Sequence, residues 1–204
     1  MPDTAAFWDK IADRYAARPV GDAAAYEATL DRVRAHLTPE AQVLELGCGT
    51  GTTALNLAPS LGQITATDFS PAMIEIARGK GDGVDNARFE VAPARPNAAE
   101  AYDAILAFNL LHLLDDLDAS LREIHAALTP GGVFISKTPC LGDRKRFLIP
   151  LVWVMQKLGK APEPVHFVKS GPLEDRIAGQ GFEIIETGDY PASVPSHFIV
   201  ARKV

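Results

Sequence analysis

An apolar strand that runs into three alternating glycines and then into a helix leaves few folds open to this chain. Val43-Leu-Glu-Leu46 passes into Gly47-Cys-Gly-Thr-Gly51 and then into Thr52-Thr53-Ala54. Glycines let the backbone turn sharply and bring a ligand close where a Cβ would block it. The helix start behind them offers unpaired N–H groups and a partial positive charge. In an open α/β sheet, ligands bind outside the carboxyl ends of the strands, where the strand order reverses. Downstream, the short runs Ile64–Thr67, Arg88–Val91, Ala104–Phe108 and Val133–Ser136 alternate with helical stretches near 52–59, 71–78 and 117–128. Such alternation predicts βαβ units with right-handed crossovers, hence a parallel sheet covered on both faces.

The flanks read differently. In residues 3–37, Phe7, Trp8, Ile11 and Tyr15 share one helical face. Arg18-Pro-Val-Gly21 breaks the segment before a second helix from Asp22 to about Leu37. Near the other end, Pro172 to Gln180 predicts a helix stopped by Gly181. Phe182–Glu186 and His197–Ala201 predict two closing strands, the second at the sheet edge. A length of 204 residues suits one domain (1–204), with 1–37 as a helical lid and 139–170 as an insertion.

The loop chemistry narrows the ligand. A dinucleotide fingerprint needs glycine at position 52, where this chain has Thr52, and no P-loop lysine is present. Glu45 stands in an otherwise apolar strand, where a carboxylate is costly unless paired; a cationic ligand group would pair it. Asp68 ends the second strand, at the position from which an acid accepts from a ribose diol.

These residues together resemble the class I S-adenosylmethionine-dependent methyltransferases. Glu45-Leu-Gly-Cys-Gly-Thr-Gly51 is similar to that family's first motif, and Asp68-Phe-Ser-Pro-Ala-Met73 to its acidic loop. Tyr102-Asp-Ala-Ile-Leu-Ala-Phe-Asn109-Leu-Leu-His112 resembles the fourth-strand motif, and Leu128-Thr-Pro-Gly-Gly132 the turn before the fifth strand. Phe7-Trp-Asp9 and Arg14-Tyr-Ala16 resemble the N-terminal lid of the small-molecule branch, the group that includes quinone-biosynthesis enzymes. The resemblance implies a doubly wound, Rossmann-like α/β fold with a seven-stranded, mostly parallel sheet and an antiparallel last strand. It also implies methyl transfer from S-adenosyl-L-methionine to a small acceptor, leaving S-adenosyl-L-homocysteine; the apolar run Phe147 to Met155 adds the expectation that this acceptor is partly apolar. Glu45 would then hold the methionine ammonium, and Gly47, Cys48 and Gly49 would admit the methionyl and ribose portions. Asp68 would accept from both ribose hydroxyls, Phe69 and Met73 would flank the adenine, Asn109 would touch the methionine end, and Tyr15 would close over it. One departure stands out: Pro93 occupies the place of an acid that reads the adenine amino group in many relatives. Backbone groups at Ala92, or else Asp103 or Glu90, are the expected substitutes.

His112 follows the fourth strand, where an acceptor would approach; it reads either as a general base or as a polar residue opening the next helix. The other histidines show no metal-ligand spacing, and Cys48 reads as a small loop filler whose place at a helix start would lower its pKa. Residues 143–169 carry six basic and two acidic side chains around the apolar run Phe147 to Met155. The expected role is a roof over the acceptor pocket; a peripheral membrane patch is the other reading. Twenty Lys+Arg against 26 Asp+Glu, a net charge of −6, argue against nucleic acid as a partner. With no basic–apolar leader and no apolar run near the roughly 20 residues of a membrane span, a soluble, cytoplasmic protein is expected. A nicotinamide-dependent oxidoreductase and a non-catalytic S-adenosylmethionine-binding protein are the alternatives.

Overall fold

The computed structural model describes residues 2–97, 99–144, 149–190 and 196–204. Two helices come first, α1 (Pro2–Ala16) and α2 (Ala23–Arg34). The alternating part follows as β1 (Gln42–Leu46), α3 (Thr52–Leu57), β2 (Gln63–Asp68), α4 (Pro71–Lys80), β3 (Ala87–Val91), β4 (Tyr102–Phe108), α5 (Leu117–Ala127) and β5 (Leu128–Pro139). Two short helices, α6 (Leu141–Arg144) and α7 (Ile149–Lys157), precede α8 (Ser170–Ala178), β6 (Phe182–Asp189) and β7 (Ser196–Lys203). Residues 145–148 of the apolar–basic segment lie outside the described residues.

The sheet order is β3-β2-β1-β4-β5-β7-β6, with β7 antiparallel to both of its neighbours and the other pairs parallel. The order reverses between β1 and β4, so the glycine loop after β1 opens at the switch point. Two expectations need correction. His197–Ala201 is not the edge: β7 lies inside the sheet, and Phe182–Asp189 forms the edge. Phe198, Ile199, Val200 and Ala201 are all fully buried, as a strand with neighbours on both sides requires. In β6 the charged Glu183, Glu186 and Asp189 suit an edge.

Nor is the whole sheet covered on both faces. On one face Ile64, Ala66 and Phe89 join a core with Val43, Leu106 and Ile135. The other core, with Leu44, Ile105, Phe134 and Leu121, lies under β1, β4, β5 and β7. Thr65 and Thr67 of β2 lie on the same side as Leu44, and Arg88 and Glu90 are their β3 neighbours. That outer patch is only partly covered: Glu123, Ala126 and Ala127 of α5 border it, a loop through Ala92–Asn97 runs beside it, and a cleft of about 590 Å³ remains. Polar–apolar alternation in Arg88-Phe-Glu90 is the pattern of a strand buried on one side.

Local caps set the helix starts around the site. Ser70 Oγ accepts from Met73 N (3.2 Å) to cap α4, and Pro71 follows at the first helical position. The same hydroxyl donates to Asp9 of α1 (2.5 Å), whose carboxylate also accepts from Ala72 N (3.1 Å). The lid helix α1 is thereby docked on the start of α4. Asp22 caps α2, and Glu186 anchors that helix to β6 by accepting from Arg32 Nε and Nη2 (2.6 and 2.5 Å). His36 Nε2 lies 2.7 Å from the same carboxylate. The Arg32 bonds hold the Glu186 carboxyl down at about 2.

Candidate functional site

The three loop glycines all take positive φ (68°, 53° and 74°) but answer different needs. A Cβ on Gly51 would lie 2.6 Å from Phe89 Cε1 and 2.9 Å from Ala77 Cβ, so this glycine lets the loop pack against β3 and α4. At Gly49 a Cβ would come into ordinary van der Waals contact with Tyr15 Cε1 (3.7 Å), so the lid's tyrosine packs over this glycine without being pushed away. Among the described residues Asn109, just after β4, is the one non-glycine residue with positive φ (54°). Its N–H donates to Lys137 O (2.8 Å), which fixes this sparsely populated conformation beside the loop.

Asp68 organises both loops at the carboxyl edge. Its Oδ2 accepts from Gly49 N and its Oδ1 from Ser70 N, each at 2.9 Å. Cys48 N donates to Thr67 O (2.9 Å), a second tie between the glycine loop and β2. Burial raises the Asp68 carboxyl above its ordinary range despite these donors. A carboxylate offers about four lone-pair sites, and the backbone N–H groups of Gly49, Ser70 and Phe69 already act on this one.

A cavity of about 380 Å³ opens between the lid and this loop. Its walls include Tyr15, Glu45, Gly47, Cys48, Gly49 and Asn109, which the sequence had singled out. They also include Arg18, Val20, Tyr26, Thr53 and Phe108, which it had not. The usable signal for Tyr26 was a lone aromatic hydroxyl in the Ala-rich helix; in the fold that hydroxyl lies 3.3 Å from Thr53 Oγ1. Nothing in the local sequence marks Phe108 or Thr53.

Glu45 is the most unusual group in this cavity. Its side chain is almost wholly buried and Oε2 has no hydrogen-bond partner. Burial pushes its carboxyl up to about 8, against a backbone hydrogen bond from Ala54. Burial, followed by the nearby Asp68 and Glu45 charges, also raises the Tyr15 phenol. The Cys48 thiol is driven upward by burial, Glu45 and Asp68, opposite to the lowering expected at a helix start, so it stays protonated and inert.

The remaining sequence candidates do not line this cavity, and Asp68 stands behind its wall, bonded to Gly49 N. Met73 is buried, Phe69 is half-buried next to Asp68, and Ala92 has its N–H spent on Asp68 O (3.0 Å). Ala92 lies instead at the rear cleft, with Pro93. His112 sits in a 3-10 turn (Leu111–Leu113) after β4; its carbonyl accepts from His166 N (2.8 Å) and its Nδ1 is buried without a partner. Burial, aided by His166, lowers its imidazole to about 4. The 139–170 segment reaches the site edge through this His166–His112 bond, but none of the described cavity-lining residues comes from it.

A family model described as a methyltransferase domain matches residues 44–134. The ubiquinone biosynthesis O-methyltransferase of Xanthomonas axonopodis pv. citri (strain 306) is 33% identical over 168 residues, covering 76% of this chain and 68% of that protein. The chain belongs to the class I S-adenosylmethionine-dependent methyltransferases. It is also similar to the highly reducing polyketide synthase easB of Emericella nidulans, 36% identical over 112 residues, though it spans only 4% of that protein. The other fungal synthases it matches are likewise spanned over only a few per cent of their length. The DhpI-SAM-HEP complex shares the fold over 100% of this chain and 97% of that one, with a TM-score of 0.75 and 24% identity.

The cofactor of this methyltransferase family is S-adenosylmethionine, and the cavity suits it on chemical grounds. A buried carboxyl oxygen without a partner matches an ammonium, and Gly49 and Tyr15 form two walls of the cavity that would take the rest of the chain. Asp68, which braces the same loop through Gly49 N, is the nearby acceptor that a ribose diol would need, although it is not itself a wall of the cavity.

Proposed function

We propose that this methyltransferase turns over a small, partly apolar acceptor that enters between the α1–α2 linker and Phe108–Asn109. The observation that carries this reading is the buried, partnerless Oε2 of Glu45 at the cavity wall. When bound, the cofactor supplies an electrophilic methyl group on a sulfonium. Glu45 holds the ammonium and ionises as it does so. Asp68 accepts from the ribose hydroxyls while its backbone donors keep the two loops in register. Phe69, half-buried beside Asp68, is the side chain left to meet the adenine, because Met73 is buried in the core. Tyr15 covers the Gly49 side and keeps water from the reacting end. Val20, Tyr26 and Phe108 form a wall that accepts apolar acceptor surface.

Transfer between aligned, desolvated partners needs few catalytic groups. His112 is the residue assigned to the acceptor's proton. Its imidazole is neutral across the physiological range, so a lone pair is available. A pKa near 4 makes it a weak base, which suits an acceptor whose proton becomes acidic only as the C–O or C–N bond forms. The two cysteines are free and buried, which suits a reducing compartment, and the activity is assigned to the cytoplasm.

Calorimetric titration with S-adenosylmethionine, S-adenosylhomocysteine and NAD tests the binding half. The first two should bind and NAD should not; NAD binding alone sinks the assignment. A screen of metabolite fractions with methyl-labelled cofactor tests the transfer half. Label should move to a small acceptor, and His112→Gln should lower turnover with little change in KM for cofactor.

A further inference from the structure

Four of the large apolar side chains exposed on this protein lie together on α7 and its last turn. Leu151, Trp153, Val154 and Leu158 are 53%, 59%, 45% and 62% exposed. Leu151, Val154 and Leu158 are spaced by three and four residues, which puts them on one face, with Trp153 beside it. Val152, Met155 and Gln156 form the half-buried inner side. Gln156 Nε2 donates to Pro162 O (2.9 Å) and Lys160 N to Met155 O (2.8 Å), which folds the chain back and holds the helix end.

Charge selects among the surfaces that this face fits. Residues 149–162 contain no Asp or Glu, and Lys157 and Lys160 are both exposed at the end of the helix. This is a cationic, apolar ridge on a chain whose net charge is −6. Its overall charge repels anionic surfaces, so a local basic rim around Trp and Leu is a specific feature and not a by-product of composition. A second copy of the same face would bring like charges together. The four side chains present on the order of 400 Å², about half of what a stable protein interface takes from each partner. A bilayer interface asks for less area. It accepts Trp and Leu at the headgroup–acyl boundary and attracts lysines when the lipid is anionic.

We propose that α7 docks this methyltransferase on an anionic phospholipid surface, with Leu151, Trp153, Val154 and Leu158 inserted and Lys157 and Lys160 at the headgroups. The helix follows β5, whose carboxyl end is also where the glycine loop opens, so docking sets the cofactor edge of the sheet toward the bilayer. The attachment is peripheral: among the described residues no helix is long and apolar enough to cross a membrane. The proposal does not depend on which acceptor is methylated.

Flotation of the full chain with vesicles tests it, using phosphatidylcholine alone and phosphatidylcholine with about a third phosphatidylglycerol. Partitioning should be roughly tenfold stronger on the anionic vesicles and should weaken with salt. Trp153→Ser and Leu158→Ser, both at exposed positions and so compatible with folding, should each reduce it about tenfold. Lys157→Gln with Lys160→Gln should reduce it about fivefold on anionic vesicles and leave the weak binding to neutral ones unchanged. In a Trp8→Phe background, Trp153 emission should shift to the blue on anionic vesicles. Equal partitioning on the two vesicle types overturns the proposal. So does native-like partitioning of Trp153→Ser, or a solution dimer that Trp153→Ser dissociates in a chain that ignores vesicles.

Discussion

The β1–glycine loop and the 139–170 segment leave the same edge of the sheet, yet they are built in opposite ways. In the loop, position is set by backbone: three glycines in the left-handed region, Asp68 accepting from Gly49 N, and Cys48 N on Thr67 O. Its two carboxyls, Glu45 and Asp68, are buried, and burial raises both above their ordinary range, Glu45 up to about 8. In the segment, position is set by a few end contacts, such as His166 N on His112 O and Gly142 N on Val168 O, while α7 turns apolar side chains outward. The contrast teaches that a site for a fixed ligand is specified by backbone geometry. A surface that meets a variable or fluid partner needs only composition on one helical face.

The sharpest way to break the loop half is Gly51→Ala. The added Cβ meets Phe89 and Ala77, and φ of 74° is strained for alanine, so we expect a loss of about 2–4 kcal/mol of stability. Denaturant unfolding measures it; a loss under ~0.5 kcal/mol would show that the loop is not clamped between β3 and α4. An equivalent change in the segment, Gly159→Ala at a position with open space, should cost only the backbone strain, about 1 kcal/mol.

Next in size is Asp68→Ala, which should weaken S-adenosylmethionine by about 1–3 kcal/mol in calorimetry. Because Asp68 also holds Gly49 and Ser70, the thermal midpoint should fall as well. Weaker binding with an unchanged midpoint would limit Asp68 to the ribose.

Glu45→Gln should act in opposite directions on binding and on folding. The native carboxyl lies near 8 and its ordinary value is 4.5, so native protein keeps a proton that the unfolded chain gives up. That favourable difference is full below 4.5 and is lost as pH rises through 8, which Gln avoids. The variant should therefore be about 1–3 kcal/mol more stable than the parent at pH 7–8, and bind cofactor at least tenfold more weakly. At pH 7 the parent should release roughly one proton on binding, read from heats in buffers of different ionisation enthalpy. No proton release would mean that Glu45 is not the ammonium ligand.

The smallest effect is expected at the lid anchor. The Glu186 carboxyl is held near 2, so its contribution is present above its ordinary 4.5 and fades as pH falls toward 2. Arg32 is nearly half exposed, so Arg32→Ala should lower the melting midpoint by on the order of 2 °C at pH 7. The difference from the parent should shrink as the pH is lowered through that range. A pH-independent difference would assign the loss to packing of the arginine stem.

Legibility in the sequence followed the range of the interactions involved. The strand–glycine–helix unit and the place of Asp68 at the end of β2 depend on residues close in the chain, and periodicity and spacing report such features directly, whereas the bond of Asp68 to Gly49, 19 residues back, needed the fold. The one-sided burial of β3 was also written in the alternation of Phe89 with Arg88 and Glu90. It was overlooked because βαβ order suggests two covered faces. The interior place of β7 was likewise present in the unbroken apolar run Phe198–Ala201. Tyr26, Thr53 and Phe108 were not legible, since three separate elements bring them to one cavity.

By itself the sequence determined the α/β alternation, the glycine turn at the switch point and the two acids that mark a cationic, ribose-bearing ligand. Those features depend on backbone conformation and on neighbours close in the chain. Only the tertiary structure decided that Glu45 is left without a partner, that Asp68 clamps two loops and that His112 loses its basicity. It also decided that α7 faces outward. Each of these depends on which groups are removed from water and what meets them there, and burial is a property of the assembled fold.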